Sequence, residues 1–206
     1  MKKWQMILFY IGQFTWGLVL NLVGLLVALG MLITGHRPYY CAPYIYFRTK
    51  WNFGGLELGV FFIIGDRCDG CALHEMGHAF QNLMFGPFTP LVVNLPSAYR
   101  YWLREMDTMK EKTIYTWLVL VLGAIVGIIP TICGFVFGLN WLGIIGVVVV
   151  LYITALSIWG IAFELPKYEH GYPLYDSIWI EGYATKTGNA LFHGVWWEHV
   201  ANRDKN

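Results

Sequence analysis

The pattern of apolar and polar positions divides this chain before any motif is read. Residues 4–33, 113–138 and 141–163 each run without a charged side chain. A helix needs about 20 apolar residues to cross a bilayer, so the pattern predicts about three transmembrane helices. The first stretch follows Lys2 and Lys3, but its apolar part far exceeds the roughly 7–15 residues of a signal-peptide core, and no small-x-small cleavage site follows. It is read as a span, crossing once or as a re-entrant hairpin, with Gln13 and Asn21 facing neighbouring helices. Only Leu139 and Asn140 separate the other two stretches, which predicts a tight helical hairpin that Pro130 would kink. Two crossings return the chain to the side it left.

Between these stretches the periods shorten. Residues 36–51 mix Arg37, Arg48 and Lys50 with Tyr39, Tyr40, Tyr44 and Tyr46 and read as an interfacial loop. Residues 56–64 are rich in β-branched and aromatic residues between Gly54-Gly55 and Gly65-Asp66, which predicts a short β-strand or hairpin. Residues 71–82 read as a helix stopped by Gly86 and Pro87, and residues 91–95 as a brief extended or buried run. From Ser97, Tyr99, Trp102, Leu103, Met106 and Met109 recur at helical spacing with Arg100, Arg104, Asp107 and Glu111 opposite, the pattern of a helix lying along the membrane surface. Asp176 reads as an N-cap and residues 177–186 as a helix ending near Gly188.

Composition agrees with the spans. Of 206 residues 57% are apolar and only 13% charged, against about 25% charged in an average soluble domain. The formal charge of +1 and the absence of a dense basic run give no nucleic-acid signature. Cys68 and Cys71 form one C-x-x-C, too little for a second zinc site, and ordinary thiols are the expected state.

The chemistry concentrates in His74-Glu75-Met76-Gly77-His78. On a helix His74 and His78 lie one turn apart on one face, so both imidazoles reach a single ion, while Glu75 is rotated off that face toward a metal-bound water as general base. The flanking apolar residues make three ionisable groups costly unless a cation pairs them, and zinc suits an imidazole-carboxylate set. Gly77, which costs about 1 kcal/mol inside a helix, marks a close backbone approach. A third ligand must come from elsewhere. After residue 163 the chain offers Glu164, Glu169, His170, Asp176, Glu181, His193, Glu198 and His199. Glu181 is preferred because Ala184, small and on the same helix face, can pack against Gly77, and His170 is second. Tyr183, His193 and Arg203 are candidate oxyanion donors.

His74-Glu75-Met76-Gly77-His78 with Glu181-Gly182-Tyr183-Ala184 resembles the H-E-x-G-H plus E-x-x-A pattern of gluzincin membrane peptidases such as the CAAX prenyl proteases. Gln81, Gly86, Pro87, Val92, Pro96 and Ser97 extend the likeness to small multi-span bacterial membrane proteins. The resemblance covers about residues 54–97 and 179–188. It implies zinc held by His74, His78 and Glu181, catalysis by Glu75, and a strand before the metal helix that receives an extended peptide. The gluzincins usually have Asp after E-x-x-A to buttress a ligand histidine. Thr185 stands there in this chain, and a neutral hydroxyl orients a ligand more weakly unless another acid substitutes.

The whole is therefore expected to be a mainly α integral membrane protein, one domain over residues 1–206, with a small zincin-like cap built from about residues 54–97 and 176–190. Its expected work is zinc-dependent hydrolysis of a peptide or protein substrate at the bilayer surface. Twelve of the 14 Lys and Arg fall on the site's side, which the positive-inside rule makes cytoplasmic, in a bacterial inner membrane on the resemblance, where the cysteines would be reduced. The rival readings are a membrane protein in which zinc is only structural and, more weakly, a transport protein, for which the spans offer no charged pathway.

Overall fold

The computed structural model describes residues 2–50, 54–66, 68–169 and 175–203, with residue 175 as backbone only. It divides into two compact units: residues 1–97 with 175–206, and residues 98–174.

In the first unit, residues 4–33 form two helices, α1 (Lys3–Phe14) and α2 (Leu18–Ile33), bent by 90° at a three-residue break. The stretch is thus not one continuous helix but a bent pair, a broken span or a re-entrant loop. The break is closed by amide side chains. Gln13 Oε1 accepts from Asn21 Nδ2 at 2.8 Å and from Asn82 Nδ2 at 2.7 Å, and Gln13 Nε2 donates to the Ala79 carbonyl at 2.8 Å. Asn21 Oδ1 in turn accepts the Val60 N–H at 2.8 Å. All three amides are buried, where an unpaired polar group would cost about 1–3 kcal/mol. Gln13 and Asn21 are therefore packing residues, as expected, and they fasten α1 and α2 to later elements.

Residues 38–49, expected as part of an interfacial loop, form strands. β1 (Pro38–Cys41) and β2 (Tyr44–Thr49) pair antiparallel there, followed by β3 (Gly55–Leu58) and β4 (Phe61–Gly65), in sheet order β1-β2-β4-β3. Tyrosines that suggested an interface are core instead: Tyr44 and Tyr46 are fully buried, packed with Phe62, Phe192 and Trp196. Their hydroxyls are satisfied, Tyr44 by donating to the Met76 carbonyl at 3.1 Å and Tyr46 by bonding His199 at 2.8 Å. Residues 56–64 split into the antiparallel β3–β4 hairpin, turning at Gly59 with φ +80°.

On this sheet lies α3 (Asp69–Phe85), longer than the predicted helix and capped by Gly86 at φ +53°. Asp69 at its start pairs with Arg48 of β2 and with Arg203. Cys68 and Cys71, one turn apart at the same helix end, are joined as a disulfide where free thiols were expected. Residues 90–94 form a π-helical turn, not an extended run.

The helix predicted to stop near Gly188 continues as α8 (Trp179–Arg203). Gly188 does not cap it. A Cβ there would collide with the Leu73 carbonyl, and one at Gly77 with the Ala184 carbonyl, so α3 and α8 meet backbone to backbone along Gly77, Ala184 and Gly188. The approach expected at Gly77 is present.

The second unit is helical. After its share of α4 (Leu95–Glu105), α5 (Met109–Val136) and α6 (Asn140–Trp159) form the predicted hairpin, and α6 continues through a π-helical turn into α7 (Leu165–Glu169). Among the described residues two helices are thus long and apolar enough to cross a membrane, or three if the bent pair α1–α2 counts as one span. On α4, Tyr99 and Leu103 of the apolar face are buried and Trp102 is exposed, but the polar face needs correction at Arg100, which is buried and pairs with Glu164 at 3.2 Å. Burial follows this ion pair because an Arg stem and a desolvated, paired head can both leave water.

The α3–α8 seam makes a comparison within one helix decisive. Glycine to alanine should raise helix propensity by up to about 1 kcal/mol at either Gly188 or Gly194, but only Gly188 has a neighbour for the new methyl to strike. In detergent unfolding experiments Gly194→Ala should leave stability equal or higher, and Gly188→Ala should lower it by about 1–3 kcal/mol. Equal effects would show that the seam is not tight.

Candidate metal centre

His74 and His78, one turn apart on α3, direct their Nε2 atoms to a common point, and Glu181 in the first turn of α8 meets them there. His74 Nε2 stands 2.9 Å from Glu181 Oε2, His78 Nε2 3.3 Å from the same oxygen, and the two Nε2 atoms 2.9 Å apart. Ligands about 2.0–2.1 Å from a tetrahedral zinc would stand about 3.3 Å from one another, so this triangle has nearly the edges of one face of such a site. Among the described residues these three form the group able to hold a metal ion. Glu181 has no exposed surface, and the His74 side chain, at 16%, is the most open of the three.

The outer ring nitrogens decide what the inner ones can do. His78 Nδ1 lies 2.6 Å from Gln81 Oε1, while Gln81 Nε2 donates to the Ile180 carbonyl at 2.7 Å. That bond turns the amide oxygen, an acceptor only, toward the ring, so Nδ1 carries hydrogen and Nε2 presents its lone pair. His74 Nδ1 lies 2.8 Å from the Thr185 hydroxyl, which itself donates to Asp176 Oδ1 at 2.9 Å. Three acceptors thus converge, an arrangement that requires positive charge at its centre: a proton or a metal ion.

The local field supplies the same demand. Burial alone would depress His78, but the carboxyls of Glu181, Glu75 and Glu57 raise it to about 9. Burial would raise Glu181, and the two imidazoles hold it far below the usual carboxylate range instead. Glu75 is pushed up by burial and drawn back by His74 and His78. It does not join the triangle. Its carboxylate packs where a Cβ on Gly55 of β3 would be, beside the three but outside the ligand set, as its place in the motif predicts.

Other candidates fall away. His193 and Arg203 lie 12 and 22 residues beyond Glu181 on the same α-helix, hence about 18 and 33 Å along it. They do not reach the site as oxyanion donors. Tyr183 is two positions on, roughly opposite around the helix, with its ring on Trp179. Glu164 is held by Arg100, and His199 by Tyr46. His170 lies outside the described residues. Asp176 is not the cap of α8 but part of a 3-10 turn before it. The sequence reading missed Glu57, whose carboxyl is buried near the site. It named Gln81 only as a matching letter, although three residues beyond His78 on a helix is within bonding reach. Compared with models of known families, with curated proteins and with solved structures, the chain matches none.

Metal analysis of detergent-purified protein should find about one transition-metal ion per chain, lost in His74→Ala, His78→Ala and Glu181→Ala. Metal retained after the Glu181 change would assign the third ligand to another side chain, with His170 the first to replace.

Proposed function

We propose that this protein is a membrane zinc metallopeptidase of the gluzincin kind, cleaving peptide bonds in a peptide or protein substrate at the membrane surface. The observation that carries the proposal is the meeting of Glu181 with His74 and His78, two imidazoles held in the tautomer that leaves Nε2 free, with Glu75 close by but outside the triangle. His74, His78 and Glu181 would hold the ion. Bound there, zinc supplies Lewis acidity that makes a water molecule acidic near neutral pH and polarises a carbonyl.

The chain's own residues account for the rest of the chemistry. Glu75 accepts the proton of the attacking water as its oxygen bonds to the scissile carbonyl carbon, and returns it to the departing amine nitrogen when the C–N bond breaks. Burial keeps the Glu75 carboxylate poorly solvated and therefore more basic than in water. β3 is an edge strand of the sheet and runs beside Glu75, so an extended peptide pairing with that edge would bring its backbone to the base. The two long apolar helices keep the protein with the bilayer, which favours substrates that are themselves membrane-associated.

The test separates catalysis from metal binding. Glu75→Gln should retain zinc at the wild-type stoichiometry and lower the hydrolysis of a fluorogenic peptide pool by about 10²–10⁴-fold. Wild-type rates in that variant, or no zinc-dependent hydrolysis in the wild type, would leave the ion with a structural role only.

A further inference from the structure

Thr185 and Asp176 have no assigned part in the chemistry above, yet they stand in series behind His74. Thr185 lies four residues after Glu181 on α8 and so on the same face of the helix. Its hydroxyl is 2.8 Å from His74 Nδ1 and donates to Asp176 Oδ1 at 2.9 Å. A hydroxyl has one hydrogen to give and lone pairs to receive. Beside a neutral imidazole a lone threonine is therefore ambiguous. If it donates to Nδ1, the ring's own hydrogen moves to Nε2, which then cannot bind a metal ion. If it accepts from Nδ1, Nε2 is free.

Asp176 removes the ambiguity, because a carboxylate only accepts and so takes the threonine hydrogen. The oxygen left facing His74 is then a pure acceptor, equivalent to the Gln81 amide oxygen behind His78. We infer that Asp176 and Thr185 act as one positioning pair, in which the acid sets the direction of the hydroxyl and the hydroxyl fixes the tautomer and plane of His74 for metal binding. The inference rests on the metal reading of the triad. Neither residue touches the ion or the substrate; both act through His74. Thr185, branched at Cβ and held in a helix, has few rotamers to choose from, which suits a group whose task is direction.

The experiment uses the full-length protein in detergent and reads zinc affinity by chelator competition, with the visible spectrum of the cobalt-substituted protein as a report on ligand geometry. Thr185→Val keeps the shape without the hydroxyl, and Asp176→Asn offers an amide that can donate to the hydroxyl and reverse it. Both should weaken zinc by about 10- to 100-fold and alter the cobalt spectrum. Thr185→Ser should restore affinity to within about threefold of wild type. Unfolding of the metal-free protein should be nearly unchanged in all three, since Asp176 is exposed and Thr185 half-buried. Wild-type affinity in the valine and asparagine variants would overturn the inference while leaving the metal site standing, as would an affinity loss matched by equal destabilisation of the metal-free protein. Absence of zinc binding in the wild type would instead overturn the metal reading itself.

Discussion

Everything at the site depends on how closely α3 and α8 approach. Helix axes normally stand 8–10 Å apart because side chains fill the space between them. Gly77 and Gly188 remove those side chains at the points of contact, and Ala184 presents only its methyl and its carbonyl. A glutamate side chain is short relative to ordinary interhelical spacing. With the seam closed, Glu181 reaches both imidazoles across it; with bulkier residues the carboxylate would fall short or the histidines would have to leave their rotamers. Two glycines inside helices each cost about 1 kcal/mol in propensity, which the packing gained along the seam offsets.

The histidine pair could be read from spacing alone because the helix period converts four residues into one shared face, whereas Glu181 was one of several acids and histidines that follow residue 163 and was preferred for its small neighbour Ala184 and for the resemblance. Ala184 was legible for a similar reason: three residues beyond Glu181 it shares that helix face, and it is small enough to pack against Gly77. The sheet was not legible. Tyr44 and Tyr46 share their composition with a membrane-interface belt, and only tertiary contact with Phe62 and Trp196 distinguishes a buried aromatic cluster from a wet one. The same limit applies to Arg100, polar by type and fully buried once Glu164 pairs with it. Helix ends were misread where glycine has two meanings, so that Gly188 resembled a terminator and is a packing contact. Asp176 reads as a helix cap and Thr185 as a departure from a pattern, and neither reading links the two. Their joint role depends on a hydrogen-bond direction that no spacing encodes.

The broken first apolar stretch shows a related constraint. A polar residue in an apolar helix is costly unless it finds partners, and Gln13, Asn21 and Asn82 find them in one another and in the backbone of Ala79 and Val60. The amide cluster ties α1 and α2 to the helix that bears both histidines and to the hairpin that leads into it. Its members are separated by as many as 69 residues in the chain, so it couples the first helices to the metal-binding helix directly.

Charge balance explains why three acids can share this interior. Burial pushes Glu57 up to about 8, so at neutral pH its carboxyl is mostly protonated and adds little charge. Glu181, Glu75 and the two imidazole Nε2 atoms face one another, and with no metal ion between them the same carboxyls draw His78 up to about 9, so that a proton takes the place a cation would fill. In a low-dielectric site an uncompensated charge costs several kcal/mol, and the arrangement of acids therefore calls for positive charge at the point where the nitrogen and oxygen donors meet.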